Sequence, residues 1–287
     1  MKDIPTSPRI IEIKRKRRIR NMILGFLGFI FVVALVWAMS YFSSDKSMVI
    51  KDIIINGTSI INWDEVEKVV KDDLSGKYVY LFSKSNGLIY PHDKIEKDLR
   101  QNFPRMEGLK VSLNGLNTLV LDIKERKGQY LYCGETIPES YVDVGEHCYF
   151  VNNDGFIFDK APYFSGNVYF KFYADLKDGV KPLGAQMVTP DQFHKLANFI
   201  DFVTARGFKP IYMTVNQNGI NTIYLNHTTL GTIPKITWKN EDDWEIIKDN
   251  LEIAMSKKEF ADEVNSKYNT LLYIDLRFKN KVLYKFQ

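Results

Sequence analysis

The clearest pattern in the sequence is an uncharged apolar run from Met22 to Phe42. As an α-helix this run would be about 31 Å long, which matches the hydrocarbon core of a bilayer. Trp37, Tyr41 and Phe42 cluster at its distal end, where amphipathic rings favour the headgroup region. The pattern therefore predicts one transmembrane helix over residues 22–42. A cleaved signal peptide is the alternative, although its apolar core is usually only about 7–15 residues long.

Basic residues lie mainly on one side of this run. They precede it as a cluster, namely Lys14, Arg15, Lys16, Arg17, Arg18 and Arg20, whereas the charges that soon follow it cancel. The positive-inside bias then predicts residues 1–21 as a cytoplasmic tail and everything beyond the helix as an exported body. Binding of anionic lipid is a second role open to the same cluster, but topology alone explains its position.

After a short linker over residues 43–48, the alternation of apolar positions predicts a first α+β unit over residues 49–127. A β-branched strand ends at Asn56-Gly57, a turn signal. Two helices follow, one capped by Asn62 and one after Pro91. Their apolar stripes are Trp63, Val66, Val69, Val70 and Leu74, and then Ile95, Leu99 and Phe103. Two strands with period-two alternation, at residues 109–113 and 119–123, complete the order β-α-α-β-β.

The remaining residues, 128–287, predict a mixed β-rich domain with flanking helices. Turn signals come often here, and Thr189, Pro190 and Gln192 together mark the start of a helix that ends before Gly207. The predicted elements are a hairpin around residues 152–155, an apolar run at 168–173, this helix, strands at 210–215 and 220–225, one helix over 240–264, and a final hairpin over 272–286 that turns at Lys279-Asn280-Lys281.

The distribution of charge argues against a nucleic-acid ligand. The whole chain has a formal charge of +4, and residues 1–42 carry eight Lys or Arg against two acids, a local +6. The other residues therefore sum to −2, from +4 less +6. A body without a basic excess lacks the electrostatic footprint that phosphate backbones need.

The two cysteines, Cys133 and Cys148, both lie in the predicted exported body. An oxidising compartment favours a disulfide between them. Two free thiols are an alternative, and zinc is a weaker one, because only His147 lies beside them.

Sequence motifs for catalysis are missing. The four histidines, His92, His147, His194 and His227, are widely spaced, and none stands at metal-ligand spacing from another. No nucleophile elbow, phosphate-binding glycine loop or His-Glu-x-x-His helix occurs. We therefore expect a non-enzymatic protein, without cofactor or metal, that binds other molecules through its surface. The alternative is a membrane-anchored cell-wall hydrolase or peptidase whose catalytic groups converge only in space.

Four segments, with the order of features along the chain, resemble the bacterial cell-division protein family FtsQ, called DivIB in Gram-positive bacteria. They are residues 49–57, similar to the family's opening strand and glycine; residues 118–126, similar to its closing strand ending in Glu-Arg; residues 153–158, similar to its Asp/Glu-x-Gly-x-Phe hairpin; and residues 273–278, similar to its late Tyr-Val-Asp-Leu-Arg-Tyr strand. Two features depart from the family: the Cys133–Cys148 insertion, and Lys281 where a turn glycine is usual.

The resemblance implies that residues 49–127 form a POTRA domain and that the protein is a single-pass scaffold of the division septum. It implies binding to FtsL and FtsB/DivIC-type partners outside the membrane, and regulation of septal peptidoglycan synthesis. It also implies β-augmentation of the last strands by a partner segment, with Phe278, Asn280 and Phe286 in that contact. We add Tyr284 from the alternation of the strand. The alternative is that Phe278 and Phe286 are simply core residues of the last hairpin.

Overall fold

The structure is a computed structural model that describes residues 8–43, 45, 47–137, 147–164, 166–176, 179–216, 219–226 and 233–287. His227 and parts of the predicted linker and of the loop between the cysteines lie outside these residues. The chain divides into two compact units, Met1–Glu125 and Arg126–Gln287. The architecture is α+β, with one long N-terminal helix and a β-rich body.

The first helix, α1, runs from Pro8 to Ser43. Its segment Arg15–Ser43 is long and apolar enough to cross a membrane, and none of its most apolar window is buried. Phe26, Phe29 and Phe31 are among its exposed side chains. The helix begins well before the apolar run because Lys and Arg are good helix formers, so the basic cluster belongs to the same helix.

The predicted order β-α-α-β-β is found in the first unit, with one addition. The elements are β1 (Asp52–Asn56), α2 (Trp63–Leu74), β2 (Lys77–Tyr78), β3 (Phe82–Ser83), α3 (His92–Asn102), β4 (Met106–Asn114) and β5 (Thr118–Glu125). The sheet order is β1-β5-β4, with β1 parallel and β4 antiparallel to β5. The small β2–β3 hairpin between the helices was not predicted.

The core of the first unit is formed by the predicted apolar faces, with one exception. Val66 and Val70 of α2 pack with Leu119 and Leu121 of β5. Trp63 was expected on the same stripe, but it is the first helical residue and its side chain is exposed. The buried stripe of α2 therefore begins one turn later, at Val66.

The turn after β1 is held by two features. Gly57 has a φ of +83°, and a Cβ at this position would collide with the carbonyl oxygen of Ile123. The carboxylate of Glu125, at the end of β5, accepts hydrogen bonds from the backbone N–H groups of residues 59–61. Burial opposes the ionised form of Glu125, but these hydrogen bonds outweigh it and hold the pKa of Glu125 below its ordinary value.

The second unit contains a nine-stranded mixed sheet with the order β14-β13-β12-β11-β10-β9-β6-β7-β8. Its strands are β6 (Tyr130–Tyr132), β7 (Tyr149–Val151), β8 (Ile157–Lys160), β9 (Lys171–Ala174), β10 (Pro210–Val215), β11 (Ile220–Leu225), β12 (Lys235–Lys239), β13 (Leu271–Phe278) and β14 (Lys281–Phe286). Its helices are α4 (Pro190–Ala205), α5 (Trp244–Ser256) and α6 (Lys258–Lys267). Thr189 caps α4 as predicted, accepting a hydrogen bond from the Gln192 N–H at 3.3 Å.

The single helix predicted over residues 240–264 is wrong, because the chain breaks at Lys257 into α5 and α6. Leu251 and Phe260 are nine positions apart, which in a continuous helix at about 100° per residue would place them on opposite faces. The break turns both side chains into the same core. The change of phase in the apolar pattern thus explains the break.

The expected disulfide between Cys133 and Cys148 is present. It follows directly from the pairing of β6 with β7, in which Tyr132 lies opposite Tyr149, because the two cysteines are the next pair along the strands. The bond therefore closes the base of the loop between these strands, of which residues 138–146 lie outside the described part of the chain.

Candidate functional site

The final hairpin places the four predicted partner-binding residues at one end of the large sheet. β14 pairs with β13 on one side, and among the described strands none pairs with its other side. Phe278 ends β13, Asn280 lies in the turn, and Tyr284 and Phe286 belong to β14. The structure thus brings all four residues to a single sheet edge.

The direction of the backbone groups along β14 follows from two pairings. The N–H of Gln287 donates to the carbonyl oxygen of Thr270 at 2.8 Å, and Lys281 pairs with Phe278 across the turn. Because backbone groups alternate in direction along a strand, the odd-numbered residues 281–287 face β13. The N–H and C=O groups of Val282, Tyr284 and Phe286 therefore point outward, as a template for another strand.

The side chains of β14 on the helical side border an open concavity. Tyr284 packs edge-on against Phe260 of α6, with ring centroids 4.5 Å apart, and Phe286 contacts Tyr284 at 5.9 Å. The concavity has a volume of about 450 Å³ and is lined by Asn250, Ile253, Ala254, Lys257, Glu259, Phe260, Asn280, Lys281, Val282 and Tyr284. A strand added to β14 would have a recess beside it that polar and apolar side chains line in about equal number.

The aromatic residues of the hairpin differ in burial. Phe278 is 45% exposed and Tyr284 is also exposed. Phe286 is half-buried and packs against the main core of the second unit. The alternative of plain core packing therefore describes Phe286 better than Phe278.

Asn280 has a backbone role that the sequence reasoning missed. The turn contains two residues, Lys279 and Asn280, and Lys281 already pairs with Phe278. Asn280 has a φ of +59°, in the left-handed region where Asn is one of the few tolerated non-glycine residues. Its identity is thus explained by the turn itself, and the glycine expected at Lys281 is not needed there.

Asp275 and Arg277 form an ion pair in β13, the strand that pairs with β14. The carboxylate of Asp275 is buried and accepts hydrogen bonds from Nε of Arg277 at 2.8 Å and from its Nη2. Burial raises the pKa of Asp275, but the hydrogen bonds and charge of Arg277 outweigh this and hold it below its ordinary value. The pair lies where the register between β13 and β14 shifts. In the sequence, Asp275 could have been noticed as an acidic residue within an otherwise largely apolar strand.

The hairpin has a one-sided charge. From Phe278 to the last residue the chain carries Lys279, Lys281 and Lys285 and no acidic residue. All three lysines are exposed. Lysines along an edge oppose pairing between two copies of the same strand and favour a strand that carries acidic residues.

Other groups with possible chemistry lie elsewhere in the second unit. A larger concavity of about 520 Å³ is lined by residues that include Lys195, Glu241, Asp242, Asp243 and Glu245. Asp243 caps α5 through the N–H of Glu245, and acids at a helix N-terminus are stabilised by its dipole. Within the described residues, no three His, Cys, Asp or Glu side chains are grouped to hold a metal ion.

His194 is exposed on α4, and its Nε2 lies 3.0 Å from Oδ1 of Asp154. This exposed pair links α4 to the turn between β7 and β8.

Comparison with known proteins adds no assignment. No protein-family model matches the chain, and no curated protein matches it.

Proposed function

We propose that the protein is a single-pass scaffold of the bacterial division septum, of the FtsQ/DivIB type. In this proposal α1 crosses the plasma membrane with its N-terminus in the cytoplasm, and the chain beyond α1 lies outside. The part of the first unit beyond α1 is a POTRA-type domain, which is supported by the β-α-α-β-β order and by the parallel pairing of β1 with β5. The protein has a binding role and no catalytic one.

The observation that carries the proposal is the outer edge of β14. Its outward N–H and C=O groups, the exposed Phe278 and the recess beside Tyr284 together suit capture of an extended segment. The exported segments of FtsB/DivIC-type and FtsL-type proteins are the partners proposed. Because the hairpin carries three lysines, the strand that adds to it should carry acidic side chains.

The proposal can be tested by co-purification from membranes. The tagged full-length chain is expressed with the FtsB/DivIC-type and FtsL-type proteins of the same genome, solubilised and captured. We expect both partners to co-purify with the wild-type chain and to be lost with Phe278→Asp. The matched control is Ile220→Asp, because Ile220 is 42% exposed and begins an interior strand of the same sheet.

Two outcomes would contradict the site or the function. Capture that survives Phe278→Asp, in a chain shown to be folded by circular dichroism, removes Phe278 from the contact. Failure of the wild-type chain to capture either partner contradicts the scaffold proposal. Phe286→Asp adds a further distinction, since loss of folding there would show that Phe286 serves the core.

A further inference from the structure

The β2–β3 hairpin of the first unit is fastened to the end of α1. The hydroxyl of Ser40 donates to the carbonyl oxygen of Leu81 at 2.6 Å, and the N–H of Ser83 donates to Oγ of Ser43 at 3.2 Å. The amide of Asn86 donates to the carbonyl oxygen of Ser43 at 3.0 Å, and Ser43 is buried. The hairpin is therefore held at a defined place beside the last turn of the helix.

These contacts also define the direction in which the hairpin points. Ser83 is level with Ser43 at the end of α1, whereas Leu81 is level with Ser40, which is about 4.5 Å further back along the helix axis. The chain from Ser83 to Leu81 thus runs toward the apolar part of α1. The turn that precedes Leu81, formed by Val79 and Tyr80, lies at the level of the helix's last apolar turn.

The turn itself has an unusual composition for its geometry. Val79 and Tyr80 have φ angles of +47° and +63°, and the N–H of Leu81 donates to the carbonyl oxygen of Tyr78 at 2.9 Å. Both residues are in the left-handed region, where Gly, Asn and Asp are usual and a β-branched residue is an outlier. Backbone strain that persists in a fold often marks a functional site.

Both turn side chains are presented to the surroundings of the protein. Val79 is 81% exposed and Tyr80 is 95% exposed. Tyrosine favours the interface between headgroups and acyl chains, and the rings of Trp37 and Tyr41 mark this level on α1. At the base of the hairpin, level with Ser43, Lys77 is exposed and suited to anionic headgroups.

We propose that the β2–β3 hairpin is a second membrane contact, with Val79 and Tyr80 inserted into the interface of the bilayer that α1 crosses and Lys77 at its anionic headgroups. The occupant of this surface is lipid, because the turn adjoins the end of a membrane-crossing helix and changes from apolar at its tip to basic at its base. This inference rests on the proposed membrane anchor. With α1, the contact would attach the folded part of the first unit beyond α1 to the bilayer at two points.

A fluorescence experiment on the full-length chain tests this proposal. Tyr80→Cys is labelled with a nitrobenzoxadiazole thiol reagent and reconstituted into vesicles of phosphatidylethanolamine and phosphatidylglycerol. Cys133 and Cys148 do not compete for the label because they are joined in a disulfide. The matched control is Ile60→Cys. Ile60 is an apolar side chain that is 64% exposed and follows the end of β1 that lies away from α1. Lys77→Cys provides an intermediate position at the base of the hairpin.

We expect the label at position 80 to emit at shorter wavelength than the label at position 60. Brominated acyl chains should quench the label most strongly at position 80, less at position 77 and least at position 60, and aqueous iodide should quench in the reverse order. If positions 80 and 60 respond alike while the chain floats with the vesicles, the hairpin contact is refuted and the anchor stands. If the chain does not float with the vesicles, the anchor itself fails. Shielding of position 80 that requires an added partner protein would also refute a lipid contact.

Discussion

Tyr284 offers a direct test of whether β14 accepts another strand. Its backbone N–H points away from β13, so Tyr284→Pro removes a donor from the outer edge without removing a hydrogen bond of the hairpin. Proline is compatible with an edge strand in this orientation. The reference is Tyr284→Ala, which also loses the contact with Phe260 but keeps the N–H.

The expected effect of the proline is the difference between these two variants. One lost hydrogen bond accounts for about 0.5–1.5 kcal/mol. The proline ring also occupies the space of a partner strand, which in a sheet lies about 4.8 Å away. We therefore expect Tyr284→Pro to bind the partner more weakly than Tyr284→Ala by at least about 1.4 kcal/mol, which is about tenfold in Kd.

The assay measures binding of full-length chains in nanodiscs to the exported segment of the FtsB/DivIC-type protein. Thermal unfolding must show equal stability for the two variants. Leu283→Pro serves as a contrast, because residue 283 faces β13 and its proline should destabilise the hairpin itself. Equal affinities of Tyr284→Pro and Tyr284→Ala would refute strand addition at this edge.

Four further outcomes are expected. Asn280→Ala should lower the free energy of unfolding by about 1–2 kcal/mol, whereas Asn280→Gly should not, because only alanine is strained at positive φ. Equal melting temperatures of the two variants would contradict a left-handed backbone conformation at Asn280. The pKa values of Asp275 and Glu125 are lowered on folding. Their ionised forms therefore stabilise the fold at pH values above the unfolded pKa of about 4, and this stabilisation is lost as the pH falls through the folded pKa. Asp275→Asn should therefore be less stable than the wild type at pH 7, by a difference that shrinks toward pH 3 in denaturant titrations. Reduction of the Cys133–Cys148 disulfide should cost about 3 kcal/mol, and the Cys133→Ser/Cys148→Ser chain should not respond to reductant. Val79→Asn with Tyr80→Gly should raise stability in detergent by at least about 1 kcal/mol, and an unchanged melting temperature would show that the turn is not strained.

Much of the fold was predictable because local patterns and local contacts agree. The strands at residues 210–215 and 220–225, the cap at Thr189 and the last hairpin all have periodic apolar faces and turn residues of the expected kind. The β2–β3 hairpin was missed for the opposite reason. Its strands contain only two residues each, and its turn is Val-Tyr, which carries no turn signal.

The candidate site was predictable only in part. Alternation identified β14 as a strand, but strand order depends on contacts far apart in sequence, so its place at the end of the sheet needed the structure. The recess beside Tyr284 exists because the chain breaks at Lys257 and turns α6 toward β14. The positive φ of Asn280 likewise depends on the length of the turn, which alternation alone left one residue too long.

The parallel pairing of β1 with β5 has a mechanical consequence. The chain enters this pair at Asp52 from the side of α1 and leaves it at Glu125 toward the second unit, so the two points of attachment lie at opposite ends of neighbouring strands. A pull along the chain would shear the strands lengthwise and load all their hydrogen bonds at once, instead of unzipping them one by one. The carboxylate of Glu125, bonded to residues 59–61, adds to this resistance at the far end. If α1 is the proposed membrane anchor, the β1–β5 pair would resist tension between the membrane and a partner bound to the second unit in this shear direction.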